Sequence, residues 1–141
     1  MEELTKCLRS YLKVHHKNIE LPRLRLFPKG SCETSSLLLG KLLKSEFPDN
    51  EVWFVEGRNS NSNERHFWIE INNKTFDITL DQFDGIESPL YGVRSSFIES
   101  RFSEVEKILI DDALKTNDYA YNNVSMFECI LNDVRGGVKS V

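Results

Sequence analysis

Apolar residues along this chain recur with two periods. Leu4, Cys7, Leu8, Tyr11 and Leu12 are spaced by three and four, which places them on one stripe of a helix from about Glu2 to His16. Cys7 then belongs to its core face. Two prolines and a glycine in IELPRLRLFPKG disfavour helix and predict an extended connector. From Ser31 to about Lys44, SCETSSLLLGKLLK opens with small polar residues that can accept from free amides. It runs on into Leu37, Leu38, Leu39, Leu42 and Leu43, a helix buried along most of its length. Gly40 costs that helix ~1 kcal/mol against alanine, so some other element is expected to press closely there.

Beyond FPDN the period changes to two. Val52 to Val55 are uniformly apolar, as in a strand buried on both faces, and RNSNSNER follows as a polar loop. In RHFWIEINNKTFDITLDQF, Phe67, Ile69, Ile71, Phe76, Ile78 and Leu80 take alternate positions, with His66, Trp68, Glu70, Thr75, Asp77 and Asp81 between them. That is a hairpin with one oily row and one polar row. A turn at Asn72 and Asn73 sets Trp68 opposite Asp77 and makes Asp77 a diagonal neighbour of His66, ~7 Å away between backbones. A turn at Asn73 and Lys74 would instead set Asp77 against Glu70, two like charges, and lysine tolerates the left-handed backbone less well than asparagine.

QFDGIESPLYGVRSSFIESRF, rich in Gly, Pro and Ser, reads as short strands or loops. Ser103 with Glu106 makes a capping box, and Val105, Ile108 and Leu109 predict a helix behind it. A last helix from about Tyr119 to Val134 is expected to bury Val124, Phe127, Ile130 and Leu131, with Cys129 packed beside them, and to end at Gly136. No repeat or linker divides the chain, so residues 1–141 are expected to form a single domain of α+β class. Its leucine-rich helix would pack on a small antiparallel sheet, with further helices flanking.

Composition narrows the chemistry. With 141 residues, 40% of them hydrophobic and nine Phe among them, the chain can fill a sizeable core. Twenty-two acidic against 18 basic residues, net charge -4, with no basic run, argue against a nucleic-acid partner. The acidic start MEEL is unlike a signal peptide, and no segment is long and apolar enough for a membrane. The expected location is the cytoplasm, although a delivered effector would look the same. Three cysteines without a CxxC pair suggest neither a disulfide framework nor a zinc site, and no cofactor is expected. His15 and His16 close a helix, where a cationic side chain is favoured in its own right.

Cys32 is the candidate reactive group. Preceded by Gly30 and Ser31, it falls in the first turn of the leucine-rich helix, near unpaired amides and the positive end of the dipole, a setting that favours thiolate. Strand order then supplies His66 as a base and Asp77 as a carboxylate able to fix its tautomer. The plainer reading is that the polar row is the wet face of an antiparallel sheet. Glu70 and Asp81 read as surface groups or as supports for the site, not as catalytic groups.

GSC at a helix start, HFWIEI on a strand and FDIT on the next resemble, in the same order, the Cys, His-x-Trp-x-Glu and Asp motifs of the transglutaminase-like branch of the papain-type cysteine enzymes. The likeness runs from Gly30 to Phe83, and the short His-to-Asp spacing is similar to that of the leader-cleaving proteins of lasso-peptide pathways. It implies Cys32 as nucleophile, His66 as general base and acid, and Asp77 as orienting carboxylate. The implied chemistry is acyl transfer from a peptide or protein amide: hydrolysis, glutamine deamidation or transamidation. Phe67 and Ile78 stand where many relatives have Ala and Pro. No Gln or Trp precedes Cys32 to complete an oxyanion hole, which leaves Trp53, Gln82 or Arg23 as its second donor beside the Cys32 amide. The alternative function is a non-catalytic peptide- or protein-binding module on the same fold.

Overall fold

A computed structural model describes residues 1–139. Helix α1 (Glu2–His15) leads through two short 3-10 turns, at His16–Asn18 and Pro22–Leu24, to α2 (Cys32–Glu46). Strands β1 (Trp53–Arg58), β2 (Arg65–Ile71), β3 (Lys74–Asp77) and β4 (Leu90–Val93) follow, then α3 (Ser96–Arg101), β5 (Glu104–Leu109), α4 (Ile110–Thr116), α5 (Asp118–Asn122) and α6 (Val124–Lys139). The architecture is mixed α+β around one antiparallel sheet in the order β4-β3-β2-β1-β5. Among the described residues no helix is long and apolar enough to cross a membrane.

The oily row packs as its alternation demands. Phe67, Ile69, Ile71, Phe76 and Ile78, with Phe54 of β1, join the leucines of α1 and α2 and the inner residues of α4 and α6 in the larger core cluster. Leu80, expected in the same row, instead lies in a 3-10 turn beyond the strand and packs on the opposite side. The neighbour expected at Gly40 is two side chains: a β-carbon there would collide with Ile110 of α4 and stand 2.8 Å from Ile69 Cδ1 of β2. Glycine therefore lets α2 lie flat against the sheet, at the cost of its own helix propensity.

Four expectations are corrected. First, the polar row is not a wet face. Trp68 joins Val55, Leu80, Ile98 and Phe102 in a second cluster on the sheet's other side, closed by the segment from Leu80 to Phe102. Second, the chain from Ser103 forms strand, not helix. β1 had an open edge to offer, and cross-strand pairing prevailed over the local capping signal and helical spacing. The amide of Ile110 then donates to Val52 O at 2.8 Å and starts α4 beside the foot of β1. Third, the last helix breaks at Asn123 into α5 and α6, with Val124 47% exposed rather than buried, while Phe127, Ile130, Leu131 and Val134 do pack inward. Gly136 does not end α6: a helix that has already docked its apolar stripe continues through glycine to Lys139. Fourth, Cys129 is exposed, since it faces away from that stripe.

Candidate active site

The loop before α2 sets the thiol. Gly30 has φ +65°, a left-handed conformation that glycine adopts without steric cost, and Ser31 Oγ donates to Pro28 O at 3.0 Å. Ser31 is the N-cap, but its side chain does not cap the helix; its carbonyl accepts from Ser35 N at 2.8 Å. Cys32 follows as the first residue of α2 and is half-buried. Its amide is one of those that helix geometry leaves without an intrahelical acceptor.

The hairpin sets the other two residues. Asn72 and Asn73 have φ +53° and +62°, the left-handed pair required by a tight two-residue turn. Ile69 then faces Phe76 and Glu70 faces Thr75, the expected register. His66 and Asp77 consequently share a face, and Asp77 Oδ2 accepts from His66 Nε2 at 2.6 Å. The second carboxylate oxygen, Oδ1, accepts from Thr79 N at 3.0 Å and Thr79 Oγ1 at 3.2 Å. Both oxygens are thus committed, and neither side chain of the pair is more than 1% exposed.

Aromatic rings enclose the imidazole. Phe83 meets it edge-on with centroids 5.0 Å apart, Phe102 lies at 5.4 Å and Trp68 at 5.9 Å. Gly57, opposite His66 on β1, makes this closure possible: a β-carbon there would strike the Trp68 ring and stand 2.7 Å from Phe102 Cβ. The other ring nitrogen, Nδ1, is buried without a hydrogen-bond partner. Cys32 is close enough to bias the ring's protonation, yet the two do not have the alignment of a formed hydrogen bond.

Burial opposes the imidazolium, but Asp77, through charge and hydrogen bond, and then Cys32 outweigh it, so the His66 pKa is raised from 6.5 to about 9. A folded-state pKa above the unfolded one means stability that is complete below about 6.5 and disappears as pH climbs through about 9. Urea unfolding should therefore show a loss on the order of 3 kcal/mol between about pH 6 and pH 10. A His66→Gln variant should lack that loss, and an unchanged wild-type midpoint would contradict the buried ion pair.

Sequence reasoning missed the parts that brace the pair. Arg9 of α1 donates to both Asp81 oxygens, at 2.7 and 2.6 Å, and to the Ile78 carbonyl, pinning the segment that leaves Asp77. Nothing on the polar side of α1 marked it, whereas Thr79, two residues after an aspartate, carried a recognisable local signal. Asp81 thereby takes the supporting one of its two expected roles. Of the suggested oxyanion donors, Gln82 Nε2 is buried without a partner. Arg23 pairs with Glu33 at 2.7 Å and lies over the Tyr119 ring, and Trp53 lies beneath Lys107. His16 Nδ1 is taken by Arg25 O at 2.8 Å, and His15 lies against Tyr11.

No protein-family model matches the chain, and no solved structure matches it. Among curated proteins it is similar to the probable lysophospholipase 2 of Schizosaccharomyces pombe (strain 972 / ATCC 24843), with 34% identity over 67 residues. That match takes in 47% of this chain and only 10% of the length of the yeast protein.

Proposed function

We propose that the chain is a thiol-dependent acyl-transfer enzyme of the papain-like or transglutaminase-like kind, acting on a peptide or protein amide through a thioester at Cys32. The observation that carries this reading is the division of labour on His66. With Nε2 held by Asp77, Nδ1 is the nitrogen left to exchange a proton, and Cys32 is near enough to the ring to bias its protonation. The raised pKa keeps His66 an imidazolium at neutral pH, with a proton on Nδ1 as well. Cys32 Sγ therefore attacks the amide carbonyl carbon as the thiolate partner of that imidazolium, and the oxyanion is met by the Cys32 amide at the start of α2. The same proton passes to the leaving amine as the C–N bond breaks. Water, or a second amine, then opens the thioester by the reverse sequence, giving hydrolysis or deamidation in the first case and transamidation in the second.

The rival reading, a non-catalytic peptide- or protein-binding module, draws support from the full burial of His66. Alkylation separates the two. Cys129 is exposed and Cys32 only half-buried, so accessibility alone would have iodoacetamide label Cys129 first. Activation by His66 should reverse this order, with Cys32 labelled about tenfold faster or more. The preference should vanish in His66→Ala protein that keeps its circular dichroism spectrum. Labelling that simply follows exposure would favour the binding module. The partial likeness to a probable lysophospholipase adds nothing to either reading, since the match takes in a tenth of that protein.

A further inference from the structure

The two edges of the sheet are treated differently. At β4 the edge is flanked by α1, with Lys6 Nζ lying over the Tyr91 ring at 5.4 Å. At β5 every residue from Glu104 to Leu109 is exposed, and among the described residues the strand pairs with β1 alone. Val105 is 50% exposed, Ile108 42% and Leu109 37%, on a strand whose outward amides and carbonyls have no cover. Edges of this kind are templates for strand addition unless something blunts them. The faces beside it are hollow as well: Ile108 and Glu106 border a cleft of about 140 Å³ against the stacked Phe54 and Phe67 rings, and Val105 borders another of about 380 Å³ over Trp68 and Phe102.

Charge decides what fits. Glu104, Glu106 and Ile108 point to one face, Val105, Lys107 and Leu109 to the other. Glu104 and Glu106 form no ion pair among the described residues, because Arg58 and Arg65 are engaged by Glu56. A second copy is a poor partner. Two identical antiparallel strands related by a two-fold axis bring positions of equal parity together, and the two longest registers set Glu106 against Glu106 or Lys107 against Lys107. Sliding further leaves only three paired positions, with Glu104 against Glu106 in one direction and Ile108 against itself in the other.

We propose that β5 is a docking edge for an extended segment of another polypeptide that alternates basic and apolar residues. Its cations face Glu104 and Glu106, its apolar side chains face Val105 and Leu109, and its backbone adds a sixth strand. The surface is separate from Cys32 and needs no acyl transfer.

Fluorescence anisotropy with end-capped, labelled octapeptides tests this. One probe alternates lysine and valine, the other glutamate and valine. The protein should bind the lysine probe about tenfold or more tighter, and Glu104→Lys with Glu106→Lys should reverse that preference. Only alternate amides of an added strand face its neighbour, so N-methylating all valines in one probe and all lysines in another should destroy binding in just one of them. The Cys32→Ala protein should bind as the wild type does. No binding, equal binding of both charge patterns, a preference that survives the charge reversal, or full binding by both methylated probes would overturn the proposal. So would a concentration-dependent dimer in sedimentation that Ile108→Lys abolishes, since the edge would then belong to a second copy.

Discussion

Replacing Cys32 by alanine is expected to reduce acyl transfer by a factor on the order of 10⁴ or more while leaving the fold intact. The loss is large because the thiol forms the bond that the whole reaction passes through, and no neighbouring group can substitute: Cys7 lies on α1 and Cys129 on α6. The fold survives because the side chain is half-buried, takes no part in the capping of α2 and holds no buried group in place. p-Nitrophenyl acetate, a small activated ester, serves as a probe without knowledge of the natural substrate. The wild type should release a burst of p-nitrophenolate and carry one acetyl group on the peptide containing Cys32, whereas Cys32→Ala should show neither. Equal release by both proteins would remove the basis of the proposed mechanism.

Asp77 should distinguish structural from chemical loss. Asp77→Ala strips His66 Nε2, Thr79 N and Thr79 Oγ1 of their acceptor inside the fold, and destabilisation of about 3–5 kcal/mol follows. Asp77→Asn is subtler. The Thr79 amide can only donate, so it requires the asparagine oxygen on its own side and turns the NH2 group toward His66. Nε2 then has to accept, the ring proton moves to Nδ1, and the nitrogen that the proposed mechanism uses can no longer take a proton from Cys32. The asparagine variant should therefore lose its ester burst by on the order of 10³ or more while losing far less stability than the alanine variant in urea. A fast Asp77→Asn enzyme would mean that Asp77 serves the fold alone.

Brought together, these residues show where local pattern sufficed. The α2 helix, the Asn72–Asn73 turn and the two rows of the hairpin were legible because each depends on periods and backbone preferences confined to a few neighbouring residues. Once the turn was known, side-chain alternation alone put Asp77 diagonally across from His66. What enclosed them was not legible. Phe83 and Phe102 arrive from a Gly-, Pro- and Ser-rich stretch with no period of its own, and they turn an expected wet face into the smaller of two cores.

The longer reach of the chain settled the rest. Ser103 to Leu109 carry a capping signal and a helical spacing, and the vacant edge of β1 overrode both in favour of strand. Arg9 braces Asp81 across more than half the sequence, a contact that no local pattern announces. Short-range rules place the thiol on α2 and the imidazole and carboxylate on the hairpin, since backbone geometry repeats from residue to residue. Burial of the pair, the pKa of His66 and the openness of β5 come from contacts between distant segments, whose free energies depend on which surfaces the completed fold removes from water.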